Sequence, residues 1–511
     1  MDTNVLNNLI GLDDNVNEND KTELSKAIYS TRGRPTLVTP FIIKDYDKLV
    51  LVGEDLYIYN GKFFEMPTPT EMNRMVYRFF IANDIVKFYN LSKEREIVRI
   101  ISYHPDIKIV ELDTQNFFLN LNNGVLNLKT MELTKHDPKY HFSYCLDVNY
   151  NTSDFECPVF TKFVQSCFAT SGDWDTGFNY DQDTVDALLQ MLGYLIWPDI
   201  KIEGIFLLIG EGSNGKSVLM DVIKMFFPKK FITYMSLNTL SREEGFTRQN
   251  LLHSKINICS EQKGGSLDSE ELKKVASGEG LSIQRKNSSA VDDELKVKVM
   301  VSANNMPYFN DTTYGILRRL YFFNFKNKYV AKNDYEKETD PLKYRIFKMV
   351  DKDWFREKMQ GEKSAILNTL LMAVTSLRDN NWVIERTHDM KEIINDYKSN
   401  SDTIGTWLKD NYEIGNEFVD FVENKLLFNE FYNWYSDNFA KKCNYSVNSV
   451  SKRVKDLFRL DRIRKWDEYN RKNAYGFSLR RKEKSDTDLD VGDFTSSQNL
   501  TGEKTTDKLK I

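Results

Sequence analysis

The sequence predicts an α/β protein built around a parallel β-sheet. Short, nearly all-apolar runs recur at "GIFLLIG" (204–210), "KINICS" (255–260) and "KVKVMVSA" (296–303), with helical or loop stretches between them. Such runs suit strands buried on both faces of a sheet that helices cover. The first run ends in a glycine-rich loop, "GEGSNGKS" (210–217), and an apolar-faced helical stretch, "VLMDVIKMFF", follows it. Strand, glycine loop and helix in that order form a unit that cradles phosphate groups.

The flanking elements can be taken in chain order. Residues 1–25 are polar, rich in Asn and Asp, and expected to be a mobile arm. From Lys48, "KLVLVGEDLYIYNGKFFE" alternates apolar and polar residues around "GED" and "NGK", a hairpin pattern. Residues 70–105 read as helix, and "NFFLNLNNGVLNLKTMEL" as short strands with an Asn-Asn-Gly turn. Residues 158–198 read as two helices, "PVFTKFVQSCF" and "DTVDALLQMLGYLIW". A mixed helical region is expected over about 331–400, and from about Ser401 the composition turns aromatic and then basic. The stretch after Lys484 has few large apolar residues and is expected to be disordered.

Composition narrows the function classes. At 511 residues with 41% hydrophobic and 28% charged residues, the chain reads as a soluble protein of two to four domains. Its net charge of -5 neither favours nor excludes nucleic acid, because a local patch matters more than the sum. Cys145, Cys157, Cys167, Cys259 and Cys443 form no C-x-x-C pair, so reduced thiols and a cytoplasmic location are expected. His104, His136, His141, His253 and His388 make no zinc pattern with them, so no structural metal is expected. Neither a leader nor an apolar stretch of about 18 residues is present, so membrane insertion is not expected.

In the loop, successive backbone N–H groups can wrap an anion only where side chains leave room. Gly210 and Gly215 supply the turn freedom, and Glu211, Gly212, Ser213, Asn214 and Val218 complete the cradle. Lys216 is expected to reach the β- and γ-phosphates of ATP, and Ser217 to ligate Mg²⁺. Glu261 ends the run "KINICSE"; it can hold Mg²⁺ through water or orient the attacking water, or be an ordinary strand-end carboxylate. Asn304, in "VMVSANNMP", can hold water against a γ-phosphate or serve as turn chemistry before Pro307. Arg318 and Arg319 can stabilise a transferring phosphoryl group, often from a neighbouring subunit, or form surface ion pairs.

The C-terminal module reads as helix, turn, helix and β-hairpin. Ser446 is a candidate N-cap, and Val450, Val454 and Phe458 share one helix face. Between Lys441 and Lys484 there are 15 Lys/Arg against 5 Asp/Glu, in a chain that is acidic overall. Such a contrast suits a winged-helix DNA binder, with one helix in the major groove and the wing on the backbone. The candidate contacts are Lys452, Arg453, Lys455, Arg459, Arg462, Arg464, Lys465, Arg471 and Lys472. A protein-interaction wing with solvated cations is the alternative.

Five segments in order, "GEGSNGKSVLMDVI", "KINICSEQ", "ELKKVASGEGLSIQRKNSSA", "VMVSANNMP" and "GILRRLYFFNF", resemble the superfamily 3 helicases of the phage/plasmid primase-associated and poxvirus primase-helicase type. The resemblance is close over about 110–330 and looser to about 480. It implies that Lys216 and Ser217 are Walker A, Glu261 Walker B, Asn304 the sensor, and Arg318 or Arg319 the arginine finger. It also implies that Arg285 and Lys286 stand on a hairpin projecting into the channel of a hexameric ring.

The implied layout is a small mixed N-terminal domain (1–108), a helical cap or collar (109–200), an AAA+-like ATPase core (201–330), a helical extension or lid (331–400), a winged-helix domain (401–483) and a tail (484–511). The implied function is a 3′-to-5′ DNA helicase and replication initiator of a phage, plasmid or genomic island in a bacterial host. Its partners would be single-stranded DNA, duplex origin DNA and other copies of the chain, with a separate primase as a further partner. The first hundred residues show no paired-carboxylate primase motif, so priming is not expected; in this the chain resembles replication initiator helicases of staphylococcal pathogenicity islands. Two other classes remain open: an initiator in which ATP controls assembly without unwinding, and a metabolite kinase.

Overall fold

The three apolar runs are strands of one sheet. Ile205–Ile209, Ile256–Cys259 and Lys298–Ala303 are joined by Ile232–Thr233 and Leu320–Asn324. All five run parallel, in the order Ile232–Thr233, Ile256–Cys259, Lys298–Ala303, Ile205–Ile209, Leu320–Asn324. Ile205, Phe206, Leu207 and Leu208 are fully buried, as expected for a strand covered on both faces. The chain leaves Ile205–Ile209 toward one edge of the sheet and returns on its other side at Leu320. The loop after Ile209 therefore lies where the strand order reverses, the place where open α/β sheets hold ligands.

This computed structural model describes residues 34–43, 46–83, 85–242, 250–251, 254–259, 266–283, 291–294, 296–309, 314–401, 403–416, 419–438, 443, 445–467 and 472–482. The expected mobile arm and the expected disordered tail lie outside them. The chain divides into two units, Met1–Ile394 and Asn395–Ile511.

In the first unit, Leu49–Val52, Asp55–Tyr59 and Phe64–Glu65 form the expected antiparallel meander, and Lys108–Ile109 joins its edge in parallel. Helices Pro35–Ile42, Pro69–Ala82 and Leu91–Ser102 close a separate apolar core around Ile58, Met75, Phe80, Ile97 and Ile101. The stretch expected as helix over 70–105 is thus two helices. Asn83 folds its amide back onto Phe79 O at 2.8 Å, and Asn90 caps the second helix by accepting from the Lys93 N–H at 2.9 Å. Both side chains compete with the helical backbone for its partners.

Strands Phe118–Leu121 and Gly124–Asn127 pair around the Asn-Asn turn as expected. Helices Pro158–Cys167 and Gln182–Ile196 also stand where the periodicity puts them. Between them lies an antiparallel hairpin, Ala169–Asp173 with Gly177–Tyr180, that periodicity did not reveal. The Asp173 carboxylate closes its turn by accepting from the N–H groups of Asp175 and Thr176 at 2.9 and 2.7 Å. Helix Gln182–Ile196 packs along helix Lys363–Asp379, and they approach closely at Gly193, where a Cβ would meet Leu370 O and Val374.

The second unit holds helices Thr403–Asn411, Asn424–Asn438 and Val447–Phe458. A three-stranded antiparallel sheet runs Val422–Glu423, Lys472–Phe477, Ile463–Asp467, and Tyr412–Ile414 pairs with Leu479–Arg481. Ser446 caps the third helix, its hydroxyl accepting from the Ser449 N–H at 3.2 Å. Val450 and Val454 are buried with Trp407, Leu427, Phe431 and Phe477, and Phe458 packs at the margin of that core. None of the five cysteines is in a disulfide. Among the described residues, no helix is long and apolar enough to cross a membrane.

Candidate functional site

The loop after Ile209 owes its shape to two glycines. Gly210 has φ 152°, and a Cβ there would run into the Asn214 amide and Phe325 O. Gly215 has φ 89° and opens the helix Lys216–Lys224. Both values lie where glycine is favoured. Among the described residues no side chain caps that helix, and its first turn holds no acid to oppose its positive end. Glu211, Gly212, Ser213 and Ser217 are exposed around this end, while Asn214 is buried and Val218 half-buried.

Lys216 lies within the loop. Its ammonium donates to Gly210 O, to Glu211 O at 3.0 Å and to Asn214 Oδ1 at 3.0 Å, all neutral oxygens. The residue is only 5% exposed, and burial lowers its pKa to about 8. Among the described residues no carboxylate pairs with it. A largely buried cation and the positive end of a helix on one loop make a receptor suited to an anion.

Residues that sequence reasoning did not single out brace the loop from behind. Asn214 Nδ2 donates to Phe325 O at 3.2 Å, and the Tyr329 N–H donates to Ser213 O at 2.7 Å. The Tyr329 hydroxyl bonds Ser166 Oγ at 2.7 Å, and buried Asn327 donates to Ser166 O and Ala169 O at 2.9 and 3.0 Å. These contacts fix the segment 325–329 to helix Pro158–Cys167. That helix has no local cap; instead the Val159 and Phe160 N–H groups donate to the Glu362 carboxylate at 3.0 and 2.9 Å. The only sequence signal was "NFKNKY", polar residues set among aromatic ones just after an apolar run.

Asn304 is exposed directly after strand Lys298–Ala303, and the Gly210 N–H donates to Ala303 O at 3.2 Å. The fold therefore brings Asn304 beside the start of the loop. Glu261 lies outside the described residues, two positions beyond the strand Ile256–Cys259. Arg285 and Lys286 also lie outside them, between the antiparallel strands Gly280–Ile283 and Val291–Glu294.

Arg318 and Arg319 stand at the other end of the sheet. They precede strand Leu320–Asn324, which pairs in parallel with Ile205–Ile209 from Ile205↔Leu320 to Ile209↔Asn324. Glu203 holds both, at 3.0 Å from Arg318 Nη2 and 2.6 Å from Arg319 Nη2. The two differ in burial: the Arg319 side chain is 10% exposed and also donates to Gly315 O at 2.8 Å, whereas Arg318 is 48% exposed. Arg386 Nη2 supports the pair from below, donating to Leu317 O and Arg318 O at 2.9 Å each.

In the second unit, Lys452, Lys455, Arg459, Arg462 and Arg464 are exposed and Arg453 and Lys465 are half-buried. Lys455 lies 3.5 Å from Asp461, and Lys465 sits over the Phe421 ring. Arg459 ends its helix at φ 55°. Lys472 begins a hairpin strand, and Arg471 is outside the described residues.

Residues 58–169 match the D5 N terminal like family model, and residues 208–319 match a family of unknown function, DUF5906. A protein of African swine fever virus, provisionally named a primase, is 24% identical over 280 residues in a warthog isolate and over 277 residues in a tick isolate. Each match covers 50% of this chain but 27% of the viral protein, so the chain spans about a quarter of those relatives. The apo C-terminal region of NrS-1 aligns over 84% of this chain and 96% of its own, at 12% identity and a TM-score of 0.45. The family and viral matches agree with the resemblance that the order of its motifs carries.

Proposed function

We propose that the chain is an ATP-driven DNA helicase and replication initiator of a mobile replicon. It works as a ring, translocates 3′-to-5′ on single-stranded DNA, and holds origin DNA through a C-terminal winged helix. One observation carries the proposal: the anion-receptive loop and the paired arginines lie at opposite ends of neighbouring parallel strands. Five residues of strand span about 17 Å. Neither arginine of this pair reaches the loop of its own chain, which supports a site finished by a neighbouring copy.

The roles follow from position. Backbone N–H groups over 211–218 and the Lys216 ammonium bind the phosphates. Ser217 is exposed at the first helical turn, which fits a metal ligand open to solvent, and Glu261 would supply a carboxylate that holds the metal through water. Mg²⁺, when bound, neutralises charge on the phosphate oxygens. Asn304 positions the attacking water. Arg318, exposed and held among the described residues by Glu203 alone, is the finger offered to the neighbour; Arg319, buried and doubly held, keeps that segment in shape. Arg285 and Lys286 grip a DNA phosphate in the channel. A second reading, an initiator in which ATP controls assembly only, draws support from Glu203, which engages both guanidinium groups within the chain.

Strand separation on a forked duplex tests the proposal. Wild type is expected to unwind, while Lys216→Ala and Arg318→Ala fail and Arg319→Ala loses stability first. A mixture of Lys216→Ala and Arg318→Ala proteins should regain part of the ATPase activity, because intact shared sites form between them. ATP hydrolysis and DNA binding without strand separation would favour the assembly switch.

A further inference from the structure

The C-terminal hairpin presents two large aromatic side chains to solvent. Strands Ile463–Asp467 and Lys472–Phe477 pair with Arg464 opposite Tyr475 and Trp466 opposite Asn473. Side chains alternate along a strand, so these four share one face and Ile463, Lys465 and Ala474 share the other. The second face is packed: Ala474 is buried, Lys465 Nζ lies 5.1 Å from the Phe421 ring centre, and Gly476 lies against Phe421 and Val422. The first face is open, with Trp466 59% and Tyr475 45% exposed and Arg464 exposed between them.

One cation beside this face, Arg462, is held in place. The Arg462 guanidinium lies 5.3 Å from the Tyr475 ring centre. With the buried Asn424 amide turned to place its oxygen inward, Arg462 Nε and Nη2 donate to that oxygen at 2.8 and 2.7 Å. Arg462 is thus a fixed charge against an aromatic ring. The four facing positions, Arg464, Trp466, Asn473 and Tyr475, include no acid.

We propose that this face binds single-stranded nucleic acid, with unpaired bases stacking on Trp466 and Tyr475 while Arg462 and Arg464 meet the flanking phosphates. An exposed indole offers a flat surface that any base can use, and the adjoining cations suit a polyanion rather than an apolar partner. Bases inside a duplex have both faces covered by their neighbours, so the platform discriminates for unpaired strands. The inference rests on the reading that the C-terminal unit binds DNA, and deepens it from backbone contact to base contact.

The test uses the full chain without nucleotide, titrated with oligo-dT of about 12 nucleotides, within the site size of one small binding module. A second probe is an abasic strand of equal length and charge; a third is a blunt duplex. The chain has seven tryptophans, so the signal of interest is the fluorescence quench present in wild type and missing in Trp466→Phe. That difference is expected with oligo-dT and absent with the abasic strand. Trp466→Ala and Tyr475→Ala should each weaken oligo-dT binding about 10-fold and change duplex binding less than about twofold. Trp466→Phe should keep most of the affinity, and none of these exposed substitutions should move Tm. Equal quenching by the abasic strand, or equal loss of oligo-dT and duplex binding in Trp466→Ala, would overturn base stacking while leaving DNA binding intact. Conversion of a self-associated wild type to monomer by Trp466→Ala would overturn it in favour of a second copy on this face. Binding of neither DNA by wild type would instead remove the underlying reading.

Discussion

Lys216 and Lys298 stand at opposite ends of neighbouring strands of one sheet, and each is only 5% exposed. Burial lowers both, Lys216 to about 8 and Lys298 to about 7. Their surroundings differ. Lys298 donates to Trp197 O, lies 5.1 Å from the Tyr194 ring centre and has Asp199 in its field. Its partners belong to a packed aromatic wall. Lys216 is held by three neutral oxygens of its own loop, beside an uncapped helix end. The more strongly perturbed lysine is therefore the structural one. A depressed lysine pKa reports lost water; whether the group serves a ligand depends on what else the same pocket leaves unsatisfied.

Exchanging each lysine should separate the two roles most clearly. Lys216→Ala is expected to weaken nucleotide binding about 10- to 100-fold, the scale of a lost charge-assisted contact, with Tm nearly unchanged. Lys298→Ala is expected to cost about 2–4 kcal/mol of stability through lost stem packing and an unpartnered Trp197 carbonyl. The folded fraction should bind nucleotide normally. Denaturation and equilibrium binding on both proteins check this, and a Lys298→Ala protein that folds but binds no nucleotide would break the contrast.

A smaller effect lies in pH. Lys298 titrates at about 7 when folded and at 10.5 in its ordinary state, so between those values the unfolded chain binds more protons. Its contribution makes stability rise as pH rises through that window, and Lys216 adds the same sign from about 8 upward. Lys298→Met, which keeps the volume and removes the charge, should flatten the rise. A melting series from pH 6.5 to about 9.5 reads this, and an unchanged slope would mean that Lys298 stays charged.

The smallest expected signal distinguishes Lys216 alone. An anion against its ammonium raises its pKa, so nucleotide binding near pH 8.5 should take up a fraction of a proton, roughly half. Calorimetry in buffers of different ionisation enthalpy measures it. The uptake should vanish in Lys216→Ala and persist in Lys298→Met.

Much of the core was legible because its signals are local. Ile205–Ile209 and Lys298–Ala303 carry apolar residues on both faces, which marks a covered strand whatever its neighbours. Gly210 and Gly215 announce the loop because only glycine tolerates their backbone. The strand order was not legible, since it depends on pairings between distant segments. The braces Asn327, Tyr329 and Glu362 were invisible for the same reason: a polar residue becomes a support only when its partner, more than 150 positions away, arrives. Trp466 and Tyr475 escaped notice because charged Lys465 occupies the inner face of its strand, so alternation did not say which side was wet.

The cap supplied by Glu362 has a consequence for synthesis. It closes the N-terminus of a helix made 203 residues earlier. At ribosomal rates of about 5–20 residues per second, that helix leaves the ribosome roughly 10–40 s before its cap exists. The wall behind the glycine loop is therefore completed late, just before helix Lys363–Asp379 begins to emerge. A nascent chain halted before that point carries the loop's sequence without its support, and this interval is where chaperone capture of the growing chain should be strongest.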